Sequence, residues 1–323
     1  MYIYRALRDD EFYCNMILCK EYFSYAPLVA LPQVNEYFGN NALDLVGAHI
    51  TKGNYNITPW ISCTKSPDKV KQYLYGKSDS VYGLAVIKNH DKEELTSPWF
   101  FGLINDYNNQ KISYEQLVVR VRHLLLINIR KCVLDFSSGN SQLFDYLMKC
   151  GFVRFLDGTE RNYVSWREHN YSKSNDEVLV LGEIPSQDAY ILDPLKIDLI
   201  EYLKKIGFVQ EYTDDLLNNL TDSLRIHHIL LGYDSYSFDE ILTEPLRSVF
   251  QNMDYNQQKL FVDIYIYNMQ KKDFMEENSI SEEKLNCYLD SIFEKIIDNS
   301  QYLKDLTKRA EKDPKQIMLV CSC

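Results

Sequence analysis

The sequence carries a carboxylate, a hydroxyl and a guanidinium at predicted strand positions, and together these groups suit the cleavage of a glycosidic bond. Glu177 directly precedes the apolar run at 178–181, which predicts a buried strand with the carboxylate at its mouth. A carboxylate held there can stabilise an oxocarbenium-like transition state. Ser62 can hold this carboxylate by a hydrogen bond, and Arg5 can bind a phosphate or orient a ribose through paired donors.

Predicted strands and a helix must bring these groups together. Arg5 lies in an aromatic, β-favouring run near the N-terminus, so a strand is predicted there. Ser62 lies in a short strand that leads into a helix, with Ser66 as the N-cap and Pro67 as the first helical residue. A further strand is predicted at 81–87. The helix is predicted to have one apolar face, because three apolar residues lie at positions i, i+3 and i+4: Val70, Tyr73 and Leu74. This face would hold the strand of Ser62 in place.

Taken in order, four side chains resemble the catalytic elements of mono-ADP-ribosyltransferases of the Arg-Ser-Glu class, above all the heat-labile enterotoxin group: Arg5, His49, Ser62 and Glu177. That family begins with a Tyr-Arg strand followed by Asp-Glu, and this chain has Tyr4-Arg5 followed by Asp10-Glu11. The family's Ser-Thr-Ser strand is similar to residues 62–64. Its catalytic Glu precedes Val and then a Leu-Gly-x-Ile-Pro turn, which is similar to Glu177-Val178 and the turn at 181–185.

The resemblance covers roughly residues 1–195 and implies an α+β fold there, with ADP-ribosyltransferase-like split mixed β-sheets and helices. It implies that NAD is the substrate and that ADP-ribose passes to a macromolecular acceptor, a protein, as it does in toxins and effectors. No metal is expected. The catalytic residues it implies are Glu177, Ser62 and Arg5. The residues it implies for binding NAD are Arg5, His49, Ser62, Thr64 and Tyr73.

Three departures from the family bear on specificity and spacing. Arginine-modifying members place a Glu, and several others a Gln, two residues before the catalytic Glu, whereas this chain has Asn175. Because Asn carries no negative charge, a neutral acceptor is expected rather than an arginine. Cys63 replaces the middle residue of the Ser-Thr-Ser strand. Ser62 and Glu177 stand 115 residues apart, more than in compact toxins, which predicts an insertion near 105–165.

Two other functions stay open on the sequence. In an NAD glycohydrolase, water would replace the acceptor while the same side chains cleaved NAD. In a non-catalytic interaction protein, acidic helices on a decayed transferase scaffold would bind a partner, and Cys63 and Asn175 would be signs of that decay. Taken singly, Arg5 also fits a surface ion pair, and Tyr73 fits ordinary core packing.

Length and composition predict two domains, at 1–195 and 196–323. The 323 residues include 46% hydrophobic residues, which is ample for two cores.

No secretory signal and no membrane-spanning run is predicted, so the protein is expected in the cytoplasm. The eight cysteines are scattered and form no Cys-x-x-Cys pair, so they are expected to be reduced thiols rather than zinc ligands.

Acidic charge is concentrated in the second predicted domain. The net charge of −11 divides into −3 for residues 1–195 and −8 for residues 196–323. Nucleic-acid binding depends on Lys and Arg to neutralise phosphates, and anionic membranes attract the same basic residues. Neither nucleic acid nor a membrane is therefore expected as a partner.

Helical periodicity dominates the chain after Pro194, which predicts an all-α, bundle-like domain. One apolar stripe is predicted to end at Gly207, and a leucine-rich helix is predicted to run from 216 to Gly232. Ser279 with Glu282 predicts a capping box before a third apolar stripe. Between the motifs of the first domain, helices are predicted at 113–130 and 140–150, a strand at 132–136 and a hairpin at 152–166.

Overall fold

A computed structural model gives the fold of the chain and divides it into two compact units. The described residues are 2–8, 11–12, 17–18, 49, 60–75, 81–88, 98–117, 119–120, 133–135, 174–184, 186–209, 212–226 and 241–312. One unit is formed by Met1–Val81 with Ala85–Ala189, and the other by Tyr82–Leu84 with Tyr190–Cys323. Strands and helices are both present, so the predicted α+β class is confirmed.

The first unit is built around a β-sheet. Its strands are β1 (Tyr2–Arg8), β2 (Ile17–Leu18), β3 (Trp60–Thr64), β4 (Val81–Lys88), β5 (Val133–Asp135), β6 (Glu177–Leu181) and β7 (Glu183–Ile184). Five of them lie side by side in the order β5-β6-β3-β1-β4, and β2 pairs with β7 in a separate antiparallel ladder. The strands predicted around Arg5, Ser62 and Glu177 are therefore present, and β6 begins at Glu177 itself.

Strand β3 lies between β1 and β6 and pairs antiparallel with both. Tyr4 is opposite Thr64 in one ladder, and Thr64 is opposite Glu177 in the other. The same register places Ser62 opposite Leu179. Adjacent positions on both strands are buried and their side chains point to opposite faces, so both faces of this part of the sheet are covered. The buried residues of the two strands include Trp60, Ile61, Cys63, Val178, Leu179 and Val180.

Helix α1 (Pro67–Tyr75) follows β3 at the predicted position. The amide of Lys69 donates to Ser66 Oγ at 3.4 Å, so Ser66 caps the helix as predicted. Val70 is buried at 2% exposure, but Tyr73 is 43% exposed, so the prediction that Tyr73 lies on the apolar face is wrong. Positions i+3 and i+4 fall on opposite sides of position i around a helix, and of these two residues it is Leu74 that is half-buried.

The region between the motifs contains helix α2 (Pro98–Asn108), for which there was no sequence prediction. The helix predicted from 113 is helical at 114–117 and 119–120, and β5 confirms the strand predicted at 132–136. The helix predicted at 140–150 and the hairpin predicted at 152–166 lie outside the described residues. Among the helices that are described, none is long and apolar enough to cross a membrane.

The second unit leads from β8 (Ala189–Leu192) into helix α3 (Pro194–Lys205). Asp193 caps α3, since its side chain accepts a hydrogen bond from the amide of Lys196 at 3.0 Å. Gly207 follows the helix with φ of 84°, a left-handed conformation that glycine adopts at little cost. The predicted end of this helix is confirmed.

Helix α4 (Asp214–Ser223) ends well before Gly232, so the predicted length is wrong. Thr243 is the reason, because its hydroxyl donates to the Ser223 carbonyl at 2.9 Å and accepts from the Arg225 amide at 3.2 Å. Its amide also donates to the Arg225 carbonyl at 3.2 Å. These contacts bind backbone groups that a longer helix would have paired internally.

The part of the second unit that the structure describes contains five further helices: α5 (Glu244–Gln251), α6 (Tyr255–Phe261), α7 (Lys271–Asn278), α8 (Glu282–Asn299) and α9 (Gln301–Lys312). A π-helical segment, Val262–Ile266, follows α6 directly. Helix α8 contacts α3, α5, α6 and α9, which makes it the centre of the bundle. It buries the predicted apolar stripe, which includes Leu285, Leu289, Ile292, Phe293 and Ile296.

The predicted N-cap of α8 is wrong by two residues. Ser281 Oγ accepts the hydrogen bond from the Lys284 amide at 3.2 Å and is the cap. Ser279 instead ends α7 in a left-handed conformation, with φ of 50°. The extended backbone that an N-cap needs is therefore available only at Ser281.

Candidate active site

Three polar side chains of the first unit form a continuous hydrogen-bonded chain. Ser62 Oγ donates to Glu177 Oε1 at 2.9 Å, and His49 Nε2 lies 2.8 Å from the same Oγ. His49 is buried, whereas Ser62 and Glu177 are half-buried. The fold thus joins three of the predicted site residues, although Ser62 stands 13 positions from one partner and 115 from the other.

The direction of these hydrogen bonds follows from the number of protons that each of the three groups can donate. An ionised carboxylate only accepts, so Ser62 must donate its single proton to Glu177. The contact at His49 then requires a proton on Nε2, with Ser62 Oγ as the acceptor. Ser62 is therefore held by His49 and in turn holds Glu177. In a nucleophilic serine site the histidine would stand between the serine and the acid, so this order suits a positioned carboxylate and not an activated serine.

The sheet supplies this geometry. Side chains two apart on a strand point to the same face, so Ser62 and Thr64 share one face of β3. Glu177 is opposite Thr64 and is therefore the diagonal neighbour of Ser62 across the ladder, within reach of a longer side chain. The carboxylate belongs to the first residue of β6, where a buried strand fixes its backbone and leaves its side chain half-buried.

Arg5 is held by a buried carboxylate that belongs to Glu11. Its Nε and NH2 atoms lie 3.2 Å and 2.8 Å from Glu11 Oε1, and the Glu11 side chain has no exposed surface. The Arg8 amide donates to Glu11 Oε2 at 3.1 Å, and the Arg8 guanidinium lies 3.2 Å from Oε1. One buried carboxylate is thus shared by two guanidinium groups.

Ser62 also connects Arg5 to the carboxylate of Glu177. Arg5 NH1 donates to the Ser62 carbonyl at 2.7 Å, while the Ser62 hydroxyl donates to Glu177. Arg5 therefore reaches the site through the main chain of β3, and its side chain is 15% exposed. A single residue of β3 orients both the guanidinium and the carboxylate.

Glu11 is the residue whose role sequence reasoning missed. It was noted only as part of the Asp10-Glu11 pair that follows the first strand. The feature of the sequence that could have indicated this role is a carboxylate a few residues beyond a strand that carries two arginines, Arg5 and Arg8. Nothing in that pattern distinguishes Glu11 from Asp9 or Asp10, because the pairing of Glu11 with both arginines depends on the folded structure.

Cys63 lies between the two residues of β3 that face the site, but its own side chain is buried in the core. Burial raises the pKa of the Cys63 thiol to about 12, an effect opposed by the nearby Arg5 and reinforced by Glu11 and Glu177. The thiol is therefore neutral at physiological pH and is not a nucleophile. The substitution of the family's middle residue by cysteine leaves the hydrogen-bonding side chains on either side of it in place.

The remaining predicted residues lie on β3, in the turn before β6 and on α1. Thr64 Oγ1 donates to the carbonyl of Asn175 at 2.6 Å, which ties the end of β3 to the turn before Glu177. Tyr73 lies on α1 with its ring partly exposed. Among the described residues, no group of three His, Cys, Asp or Glu side chains is arranged to hold a metal ion.

Comparison with known proteins brings no further constraint, since no protein family, curated protein or solved structure matches this chain. The functional inference for the site therefore rests on the residue types and on the hydrogen-bonded geometry around Ser62.

Proposed function

We propose that this chain is an NAD-dependent mono-ADP-ribosyltransferase, with an ADP-ribosyltransferase-like split-sheet fold over residues 1–195. It cleaves the bond between nicotinamide and ribose and transfers ADP-ribose to a protein acceptor, in the manner of a cytoplasmic toxin or effector. The observation that carries the proposal is the chain of hydrogen bonds from His49 through Ser62 to Glu177.

Glu177 is the catalytic carboxylate in this proposal. Loss of nicotinamide leaves positive charge on the ribose, and a carboxylate held in place opposes that charge without having to reorganise. A carboxylate has acceptor sites beyond the one that Ser62 occupies, so it can also accept from a ribose hydroxyl. The bond from His49 to Ser62 removes the rotational freedom that would otherwise loosen this support.

Arg5 is the phosphate- or ribose-binding group in this proposal. Glu11 and the Ser62 carbonyl fix the plane of its guanidinium before substrate arrives, so little side-chain entropy is lost on binding. The positive charge and planar donors of Arg5 suit the negatively charged diphosphate of NAD.

Asn175 is the proposed determinant of the acceptor. It lies two residues before the catalytic carboxylate, in a turn tied to β3, and its amide can donate and accept hydrogen bonds without carrying charge. A neutral acceptor group therefore suits this site better than the guanidinium of an arginine.

The experiment that tests the function compares the wild type with Glu177→Gln. The amide keeps the shape of the side chain but removes the charge, so nicotinamide release should fall on the order of 100-fold or more. The measurement is the initial rate of nicotinamide formation from NAD by chromatography, with circular dichroism to establish that both proteins are folded. Glu183→Gln, which neutralises a carboxylate on β7, is the matched control and should retain the wild-type rate.

Three outcomes would contradict the proposal. An equal rate in Glu177→Gln would remove the proposed role of this carboxylate. A wild-type protein that releases no nicotinamide would rule out NAD cleavage and favour a binding function. Nicotinamide release that yields only free ADP-ribose in the presence of a cell lysate would identify an NAD glycohydrolase.

A further inference from the structure

We infer that Thr64 is a positioning residue for the acceptor, because it holds the turn that carries Asn175. The inference rests on the proposed function and deepens it. In this inference, Thr64 affects whether ADP-ribose passes to a protein acceptor or to water. On the sequence alone, Thr64 is expected to contact NAD instead.

The hydroxyl of Thr64 is fully used between two backbone segments. Thr64 Oγ1 donates to the Asn175 carbonyl at 2.6 Å and accepts from the Ser66 amide at 3.1 Å. A hydroxyl has one proton to donate, so this proton is committed to the turn that precedes Glu177. The side chain is 8% exposed, which leaves little of its surface for direct contact with a ligand.

The turn needs such support because of its backbone conformation. Asp176 has φ of 49°, in the left-handed region that residues other than glycine rarely adopt. Such a conformation persists only where the surrounding contacts impose it. The Thr64 hydroxyl binds the carbonyl just before Asp176, and the Lys65 amide donates to the Asp176 carbonyl at 3.1 Å. Two adjacent carbonyls of the turn are therefore held by the end of β3.

This arrangement separates two tasks along β3. Ser62 holds the carboxylate of Glu177, which NAD cleavage requires, whereas Thr64 holds the main chain of Asn175, which transfer requires. If Asn175 moves, the incoming acceptor loses its alignment, but water needs no such alignment. Loosening the Thr64 contact should therefore lower transfer more than it lowers cleavage.

The experiment measures how ADP-ribose is partitioned between acceptor and water. Wild type, Thr64→Val and Thr64→Ser are incubated with NAD labelled in its adenylate part and a fixed amount of cell lysate. The readout is the ratio of label bound to macromolecules to label in free ADP-ribose. Thr64→Val keeps the shape but lacks the hydroxyl and should lower this ratio about tenfold. Thr64→Ser keeps the hydroxyl and should restore most of it.

Thr221→Val is the matched control for a general loss of stability. Thr221 Oγ1 donates to the Leu217 carbonyl at 2.7 Å within α4, so this variant also removes a hydroxyl that is bonded to a carbonyl. Its ratio should equal that of the wild type. A second variant, Asp176→Val, places a β-branched residue where φ is 49°, which disfavours the conformation of the turn without removing the Thr64 hydroxyl, and it should also lower the ratio. It keeps the inference testable even where Thr64→Val fails to fold.

The outcomes distinguish this inference from the proposed function. A wild-type ratio in Thr64→Val or in Asp176→Val, with NAD cleavage present, would overturn the role of Thr64 and leave the proposed function standing. An equal fall in Thr64→Val and Thr221→Val would overturn it as well. Absence of NAD cleavage in the wild type would instead overturn the proposed function and this inference with it.

Discussion

Ser62 contributes two different atoms to the candidate site, and each has a separate partner. Its hydroxyl lies between His49 and Glu177, and its carbonyl accepts from Arg5. A change in the Ser62 backbone would therefore disturb the carboxylate and the guanidinium together. This coupling at one residue explains how two charged groups on different strands keep a defined relation.

At the scale of single residues, we predict that replacement of Arg5 by lysine weakens the binding of NAD. Lysine keeps the positive charge but has no fork of donors for the Glu11 carboxylate and the Ser62 carbonyl, so the cluster loses its fixed orientation. We expect the dissociation constant for NAD, measured by calorimetry, to rise about tenfold, the equivalent of one charged hydrogen bond.

Arg247→Lys serves as the control for this experiment. Arg247 pairs with Glu244 at 3.0 Å and donates to the Leu242 carbonyl at 3.2 Å, so it makes the same kinds of contact within the second unit. Its replacement should leave NAD affinity unchanged. An unaltered affinity in Arg5→Lys would limit Arg5 to a structural ion pair with Glu11.

At the scale of single elements, the ends of strands and helices determine which side chains meet. Strand β6 begins at Glu177, and strand β3 ends at Thr64, so the catalytic carboxylate and the turn before it lie at one end of the ladder. In the second unit, Thr243 ends α4 by bonding the backbone at Ser223 and Arg225. Both cases show that side chains from a distant segment can set the boundary of an element.

The N-cap of α8 provides the element-scale prediction. Ser281→Ala removes the acceptor for the Lys284 amide, so the free energy of unfolding of the helical unit should fall by about 1 kcal/mol. Ser279→Ala is the matched control, because Ser279 ends α7 and does not cap α8, and it should cost less. Urea denaturation followed by circular dichroism at 222 nm measures both. A larger loss in Ser279→Ala than in Ser281→Ala would assign the cap to Ser279.

At the scale of the whole molecule, the net charge of −11 bears on the nature of the acceptor. A polyanion such as RNA or DNA is attracted through Lys and Arg, and this chain has 35 of these against 46 Asp and Glu. A protein acceptor is therefore the electrostatically favoured class, and residues 196–323 add most of the repulsion toward nucleic acid.

This argument leads to the whole-molecule prediction. Label transferred from NAD in a cell lysate should be released by protease and should resist nuclease. Glu177→Gln provides the background, since it should transfer no label above that seen without enzyme. Loss of the label on nuclease treatment would mean that the acceptor is a nucleic acid and that local positive charge outweighs the net charge.

Local patterns in the sequence were enough to predict several elements around the site. The apolar run after Glu177 predicted β6, the aromatic run around Arg5 predicted β1, and Ser66 followed by Pro67 predicted the start of α1. The stripe of α8 was equally clear. These predictions succeeded because a strand, a cap or a helix face depends on residues that are neighbours in the chain.

Only the tertiary structure decided which side chains became partners. Ser62 had no local signal for its contact with Glu177, 115 positions away, and Glu11 had none for its pairing with Arg5 and Arg8. The same holds for the bond from Thr64 to the turn at Asn175. Pairing across a sheet is set by register and by burial of the whole ladder, and these depend on residues far apart in sequence. The types of the candidate site residues are thus written in the sequence, whereas their hydrogen-bonded order is a property of the folded sheet.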